Sequence, residues 1–209
     1  TGIGHHRLNG GNWFRKEQCN FGWDWGPMLP TCGIWKRISL VGWEHGRLGR
    51  TRVAQHHENG MVRLELDTDT EVTGGPESAQ VRYRLELEGE KITEAVAPTG
   101  EAGQLQVKAP RLWWPNGLGE QPLYTLTVEL LDEDGRVTDK ATLQIGLRDL
   151  RLIQEEDAWG QSFCFSVNGH RFFAKGANWI PAHVFDGAID EAKLEDLLQS
   201  AAEANMNML

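Results

Sequence analysis

Residues 21–30 read FGWDWGPMLP and set one carboxylate, Asp24, between two indoles, Trp23 and Trp25. A flat aromatic face offers apolar area to the C–H groups of a sugar ring. A neighbouring carboxylate accepts hydrogen bonds from hydroxyls, and charge-assisted bonds of this kind can discriminate epimers. The pairing is therefore a chemistry for holding carbohydrate. Five of the nine tryptophans, Trp13, Trp23, Trp25, Trp35 and Trp43, lie in the first 43 residues. In a regular strand the two rings would share one face and Asp24 would point away from both. Gly22, Gly26 and Pro27 predict an irregular loop instead, where that alternation does not hold. The plainer reading makes Trp23 and Trp25 core or interface residues. An unpaired carboxylate among tryptophans is costly to bury, which favours a pocket role for Asp24.

Other chemistries find less support. The seven histidines show no metal-ligand spacing; His5-His6 and His56-His57 are adjacent pairs, which in a strand point to opposite faces. No metal site and no cofactor are expected. Cys19, Cys32 and Cys164 form no CxxC pair, and free thiols in a reducing compartment are the simplest reading, with a Cys19–Cys32 bridge left open. A formal charge of −9 argues against a nucleic-acid surface. No apolar run approaches the ~20 residues that span a bilayer, so no membrane partner is expected. The N-terminus, TGIGHHRLNGG, has neither an initiator Met nor the apolar core of a signal peptide, and localisation leans cytoplasmic. The oligomeric state is left open.

The elements that must position these residues are mostly strands. MVRLELDT alternates Val62, Leu64 and Leu66 with polar residues, the period of a half-buried strand. QVRYRLELEG repeats the pattern through Val81, Tyr83, Leu85 and Leu87. LYTLTVELL places Leu126, Val128 and Leu130 on one face, and an Asp134-Gly135 turn leads to RVTDKATLQIGL as hairpin partner. Shorter candidates lie at 51–56, 91–96 and 105–108. Six or seven such strands within about 100 residues predict a two-sheet sandwich of the immunoglobulin type. Beyond residue 150, Asn168-Gly169 is a strong two-residue hairpin signal. The run from Asp190 switches to helical spacing, with Asp190 as cap and Leu194, Leu197, Leu198 and Ala201 as the apolar face. That helix should stop near Asn205, with 206–209 opening another strand. A strand, loop, helix and second strand form a βαβ unit, and a parallel sheet needs several of these. The expectation is a fragment of a longer protein.

Three blocks carry a family resemblance. RKEQCNFGWDWGPMLPTCGIWKRISL at 15–40, LWWPNGLGEQPLYTLTVEL at 112–130 and NGHRFFAKGANWIPA at 168–182 resemble segments of the β-mannosidases in family 2 of the glycoside hydrolases. ANMNML is similar to the run leading into the second barrel strand of that family. The resemblance implies a mainly β fold. Residues 1–43 would be the end of a jelly-roll (galactose-binding-like) domain, 44–148 an immunoglobulin-like sandwich, and 149–209 a connector and the start of a (β/α)8 barrel. It implies a parent enzyme that removes terminal non-reducing β-linked mannose with retention, using two glutamates about 5–5.5 Å apart. Both glutamates are expected after Leu209, so no catalytic residue is assigned here and this piece alone should be inactive. Carried over, Trp23 would stack on the sugar, Asp24 would accept from its hydroxyls, and Trp179 and Asn178 would line the pocket from the end of the first barrel strand. The implied partner is a β-mannoside or oligosaccharide. An acidic residue is expected where His183 stands, a departure that weakens a role for that position. The same chemistry on another sugar (β-glucosaminidase, β-glucuronidase or β-galactosidase) and a free-standing carbohydrate-binding or scaffold module are the alternatives. Trp25, Trp35 and Trp43 read as packing residues, Trp113-Trp114-Pro115 as a plug between sandwich and barrel, and 154–157 as a solvated connector.

Overall fold

A computed structural model describes residues 13–34, 36–75 and 79–209; Trp35 and the His5-His6 pair lie outside the described residues. Two compact units partition the chain. One gathers Gly42–Lys175 with Met208, and the other combines residues up to Val41 with Gly176–Asn207 and Leu209.

The first unit holds the sandwich. Strands β1 (Gly46–Glu58), β2 (Met61–Val72) and β5 (Gly103–Lys108) pair antiparallel in the order β1-β2-β5. Strands β3 (Gln80–Leu87), β4 (Glu90–Pro98), β6 (Tyr124–Leu131) and β7 (Val137–Ile145) form the second sheet, β4-β3-β6-β7. The crossing back of β5 to β2 gives the immunoglobulin-like arrangement predicted from strand number and spacing. Period-two alternation sends Val62, Leu64 and Leu66 of β2, Leu105 and Val107 of β5, Val81, Tyr83 and Leu85 of β3, and Leu126, Val128 and Leu130 of β6 into one shared core. Tyr83 carries its hydroxyl into this core and satisfies it by donating to Thr68 Oγ1 at 3.0 Å. Burial pushes the Tyr83 phenol up from its usual range. A methyl on Gly103 would stand 2.3 Å from Tyr83 Cε2, so only glycine lets β5 approach that ring.

The central strand β6 is also covered on its outer side, where Thr127 and Glu129 are buried. Arg82 on β3 grips the Glu129 carboxylate through Nε at 2.8 Å and through Nη2, and Lys140 on β7 approaches it at 3.8 Å. One edge between the sheets is joined by the Leu48 backbone N–H, which donates to Asp139 Oδ2 of β7 at 2.8 Å.

Beyond β7, strands β8 (Leu150–Ile153), β11 (Cys164–Val167) and β12 (His170–Phe172) form a small antiparallel sheet ordered β12-β11-β8. Asn168 and Gly169, at φ 50° and 83°, make the predicted turn between β11 and β12. The stretch expected to be a plain connector is structured: β9 (Glu156–Asp157) pairs with β10 (Gly160–Gln161) in a short exposed hairpin. Trp113 and Trp114 pack within this unit. Arg148 lies 4.4 Å above the Trp113 ring, and Trp114 tilts against His170 at 5.5 Å.

The second unit contains no sheet among its described residues. A 3-10 turn, Gln18–Phe21, precedes an irregular loop through residue 34, and residues 37–41 run on without strand pairing. After β12 comes an irregular segment with a 3-10 turn at Asp186–Ala188, then helix α1 (Glu191–Glu203). Asp190 caps α1 as predicted, its carboxylate accepting from Lys193 N at 2.8 Å. Asn205, at φ 58°, stops it: Asn205 N donates to Ala202 O and Met206 N to Ala201 O, both at 3.0 Å. That pair of bonds is the Schellman pattern, which places a left-handed residue just past the helix. No residue of α1 is buried: on its apolar stripe Leu194 and Leu198 are exposed, and Leu197 and Ala201 are half-buried. The expected final strand is represented by Met208, an isolated bridge residue whose N–H donates to Lys175 O at 3.3 Å.

Candidate functional site

The Trp23–Asp24 pair sits on a loop whose anchor is Asn20. Asn20 is buried, its Nδ2 donates to Glu17 Oε2 at 2.9 Å, and its carbonyl accepts Leu29 N–H at 3.0 Å, closing the loop at its base. Gly22, at φ 108°, turns the chain in a way an L side chain rarely adopts. Trp23 N–H then donates to Gly26 O at 3.3 Å, which places Asp24 and Trp25 at the tip of a tight reversal. The loop is irregular, as its glycines predict. Asp24 is exposed, Trp23 is 44% exposed and Trp25 is partly buried, so Trp23 is not a core residue of this chain.

The second candidate loop lies in the same compact unit. Asn178 is exposed and Trp179 is 42% exposed. Further along, Phe185 N–H donates to His183 Nδ1 at 3.0 Å and the two rings stand 5.9 Å apart. This gives a physical account of His183 where an acid was expected. A carboxylate can accept the N–H two residues on, and so can an imidazole nitrogen in the Nε2–H tautomer.

The two loops are neighbours. A methyl placed on Gly26 would meet Val184 Cγ2 at 3.8 Å, an ordinary packing distance. Between them opens a cavity of about 890 Å³, with apolar walls from Phe14, Phe21, Val184 and Phe185 and a polar rim that includes Arg15, Lys16 and Glu17. Trp23, Asp24, Asn178 and Trp179 are not among its walls. The structure thus brings the two loops together, while the four side chains are presented outward. Sequence reasoning missed Phe14, Phe21 and Phe185 as cavity walls. Isolated phenylalanines in turn-rich segments carry no periodic signal that marks them.

Among the described residues, no group of three or more His, Cys, Asp or Glu is placed to hold a metal ion, and no helix is long and apolar enough to cross a membrane. The three cysteines are free thiols.

The fold thus defines a mainly β chain built on an immunoglobulin-like sandwich, with a tryptophan-rich loop before it and an irregular loop and helix after it. Comparison with known families and proteins narrows this. Residues 47–148 match the glycosyl hydrolases family 2 domain, and residues 3–36 match the glycosyl hydrolase 2 galactose-binding domain-like family. The chain is 36% identical over 174 residues to Beta-mannosidase B of Emericella nidulans, covering 80% of this chain and 20% of that protein. It is 33% identical over 215 residues to Beta-mannosidase of Bos taurus, covering 95% and 24%. The crystal structure of Beta-D-mannosidase from Dictyoglomus thermophilum superposes with a TM-score of 0.83 at 40% identity, over 93% of this chain and 25% of that one. The chain belongs to family 2 of the glycosyl hydrolases. It spans about a fifth to a quarter of the length of the curated relatives it matches.

Proposed function

We propose that this chain is the non-catalytic middle section of an exo-acting β-mannosidase that removes terminal non-reducing β-D-mannose with retention of configuration. Residues 1–43 complete its jelly roll, 44–148 are its sandwich, and 149–209 connect to and open its barrel. The observation that carries this reading is the match to a β-D-mannosidase across 93% of the chain at 40% identity. The proximity of the Gly26 and Val184 loops supports it, because a pocket shared by the leading segment and the barrel entry needs those loops side by side.

In this reading Trp23 and Trp179 supply apolar faces to the sugar, and Asp24 and Asn178 exchange hydrogen bonds with its hydroxyls. Their exposure within this chain leaves them open to a ligand. The acid/base and nucleophilic carboxyls of a retaining mechanism, about 5–5.5 Å apart, come from outside these residues, and the 209-residue piece alone turns over no substrate.

The test is hydrolysis of aryl β-mannoside, β-glucoside and β-galactoside by the parent enzyme and its Asp24→Ala variant. The β-mannoside should be preferred. Asp24→Ala should lower kcat/KM on it about 10- to 100-fold, the range of a hydrogen bond to a charged group, with the melting temperature unchanged. A preference for glucoside or galactoside would move the parent to another sugar. A variant that melts lower but keeps its turnover would make Asp24 structural.

A further inference from the structure

Residues 146–149 carry the chain from β7 of the sandwich into β8 of the small sheet. The family 2 domain match ends at 148, inside this link. A short link between two sheets is where a hinge is ordinarily found, because a few loop residues can absorb a change in φ and ψ. Here the peptide groups are held instead. Gln55 on β1 spans the link with its amide: Nε2 donates to Gly146 O at 3.0 Å, and Oε1 accepts Arg148 N–H at 3.1 Å. Between those two bonds Leu147 is fully buried in the sandwich core, and its carbonyl accepts Trp113 N–H at 2.9 Å. Asp149 N–H donates to Asn168 Oδ1 at 3.0 Å, and Asp149 O accepts Asn168 N–H at 2.8 Å. Trp113 joins the two sides, since its own carbonyl accepts from Asn168 Nδ2 at 3.1 Å. Its ring lies against the link: a methyl on Gly146 would stand 2.8 Å from Trp113 Cγ, and the Arg148 guanidinium covers the ring at 4.4 Å.

We propose that residues 146–149 are a joint locked by the Gln55 and Asn168 side chains, and that the sandwich and the β8–β11–β12 sheet open only together, as one cooperative body. Relative motion is the default for two bodies joined by a link, and it is suppressed where many bonds must break at once. Rotation about Gly146 or Leu147 breaks both Gln55 bonds and withdraws Leu147 from the core. Rotation about Arg148 or Asp149 breaks the Asn168 bonds and lifts the guanidinium off Trp113. Each broken bond strands a peptide group, and a donor or acceptor left unpaired away from water costs more than an ordinary bond contributes. The ties come from β1, from the tryptophan segment and from the β11–β12 turn, so no one of these segments can move away alone. Val167, beside that turn, is fully buried as well. The small sheet is thereby carried by the sandwich at a fixed orientation, and the domain boundary at 148 is not a mechanical one.

The test is native-state hydrogen exchange of the 209-residue chain, followed by NMR at rising urea below the unfolding transition. The slowest amides of the β8–β11 ladder should show the same opening free energy and the same urea dependence as those of the β3–β6 ladder. The double variant Gln55→Leu/Asn168→Gly deletes the side-chain ties and keeps a residue suited to the left-handed turn. In it, the β8–β11 amides should exchange about tenfold or more faster than the β3–β6 amides, the scale of several ordinary hydrogen bonds. Earlier opening of β8–β11 in the wild-type chain, with a shallower urea dependence, would make 146–149 a hinge and overturn the proposal. A double variant whose two ladders still exchange alike would overturn it too, because the coupling would then not run through these side chains. The wild-type comparison decides by itself if the double variant does not fold.

Discussion

The two compact units respond differently to the same kind of sequence. In the sandwich, the inward apolar side chains of β2, β3, β5 and β6 share one core, and Leu64, Leu66, Tyr83, Leu85, Leu126 and Val128 are fully buried in it. In the other unit, Trp13, Ile34, Ile38 and Leu40 stand in solvent, and the stripe of α1 leaves Leu194 and Leu198 exposed and none of its residues buried. Local signals are honoured in both: Asp190 and Asn205 bound α1 as firmly as any turn bounds a strand. What differs is whether a partner surface lies among the described residues. A sheet face or a helix stripe is stabilised by what it buries, and caps alone do not supply that.

The sharpest way to break this comparison is a matched pair of truncations. Leu126→Ala removes a fully buried side chain from the middle of β6 and should cost about 2–5 kcal/mol in urea unfolding of the chain. Leu198→Ala acts on a leucine that is 52% exposed and should cost no more than about 0.5 kcal/mol. Similar losses at both positions would mean that the α1 stripe is buried in solution. A second pair sharpens the point with glycines. Gly103→Ala drives a methyl into the Tyr83 ring and should cost about 1–3 kcal/mol, whereas Gly26→Ala meets only Val184 at 3.8 Å and should fall within about 0.5 kcal/mol.

The same contrast explains what was legible in the sequence. The sandwich was readable because a period of two reports burial directly: Val62, Leu64 and Leu66 point inward wherever their partner sheet lies. The Asn168-Gly169 turn and both ends of α1 were readable because they depend on a few adjacent residues. The β9–β10 hairpin was missed because each arm has only two residues, too few for any period. The Trp–Asp–Trp loop could be recognised as a loop from its glycines, but its neighbours could not. Nothing in residues 20–29 specifies that Val184, over 150 positions away, will pack beside Gly26. Side-chain bonds across such distances are invisible to local pattern. Asn168 shows this well, since its turn was predicted while its Nδ2 bond to Trp113 O, at 3.1 Å, was not.

That bond allows a smaller test. Asn168 Oδ1 accepts Asp149 N–H at 3.0 Å while Nδ2 holds Trp113 O, so one side chain joins the β11–β12 turn, the start of β8 and the tryptophan segment. Asn168→Gly keeps the left-handed backbone and deletes only these bonds. It should cost about 1–2 kcal/mol in urea unfolding, with Asn168→Ala costing more because alanine also resists positive φ. No loss in Asn168→Gly beside a clear loss in Asn168→Ala would assign the whole effect to the backbone.

The smallest expected effect is a pH dependence seated on β1. His57 faces inward beside Gln55, its Nε2 standing 3.1 Å from Gln55 Oε1, an oxygen that also accepts Arg148 N–H at 3.1 Å. Burial pulls the imidazole below the usual histidine range; Arg151 adds to this, while Asp149 and the Arg148 backbone oppose it. The folded state therefore holds the His57 proton less tightly than the unfolded chain, whose histidines titrate near ~6.5. The unfolded state takes up more protons as pH falls through that window, so stability is retained above it and declines below it. His57→Gln removes the titrating group and keeps a polar side chain opposite Gln55. The wild-type chain should lose more stability than His57→Gln between pH 7.5 and 5.5 in urea unfolding, with the curves parallel above pH 7.5. Parallel curves throughout would mean that His57 is as well solvated as its neighbour His56, whose exposed side chain lies 3.6 Å from Glu65 on the opposite face.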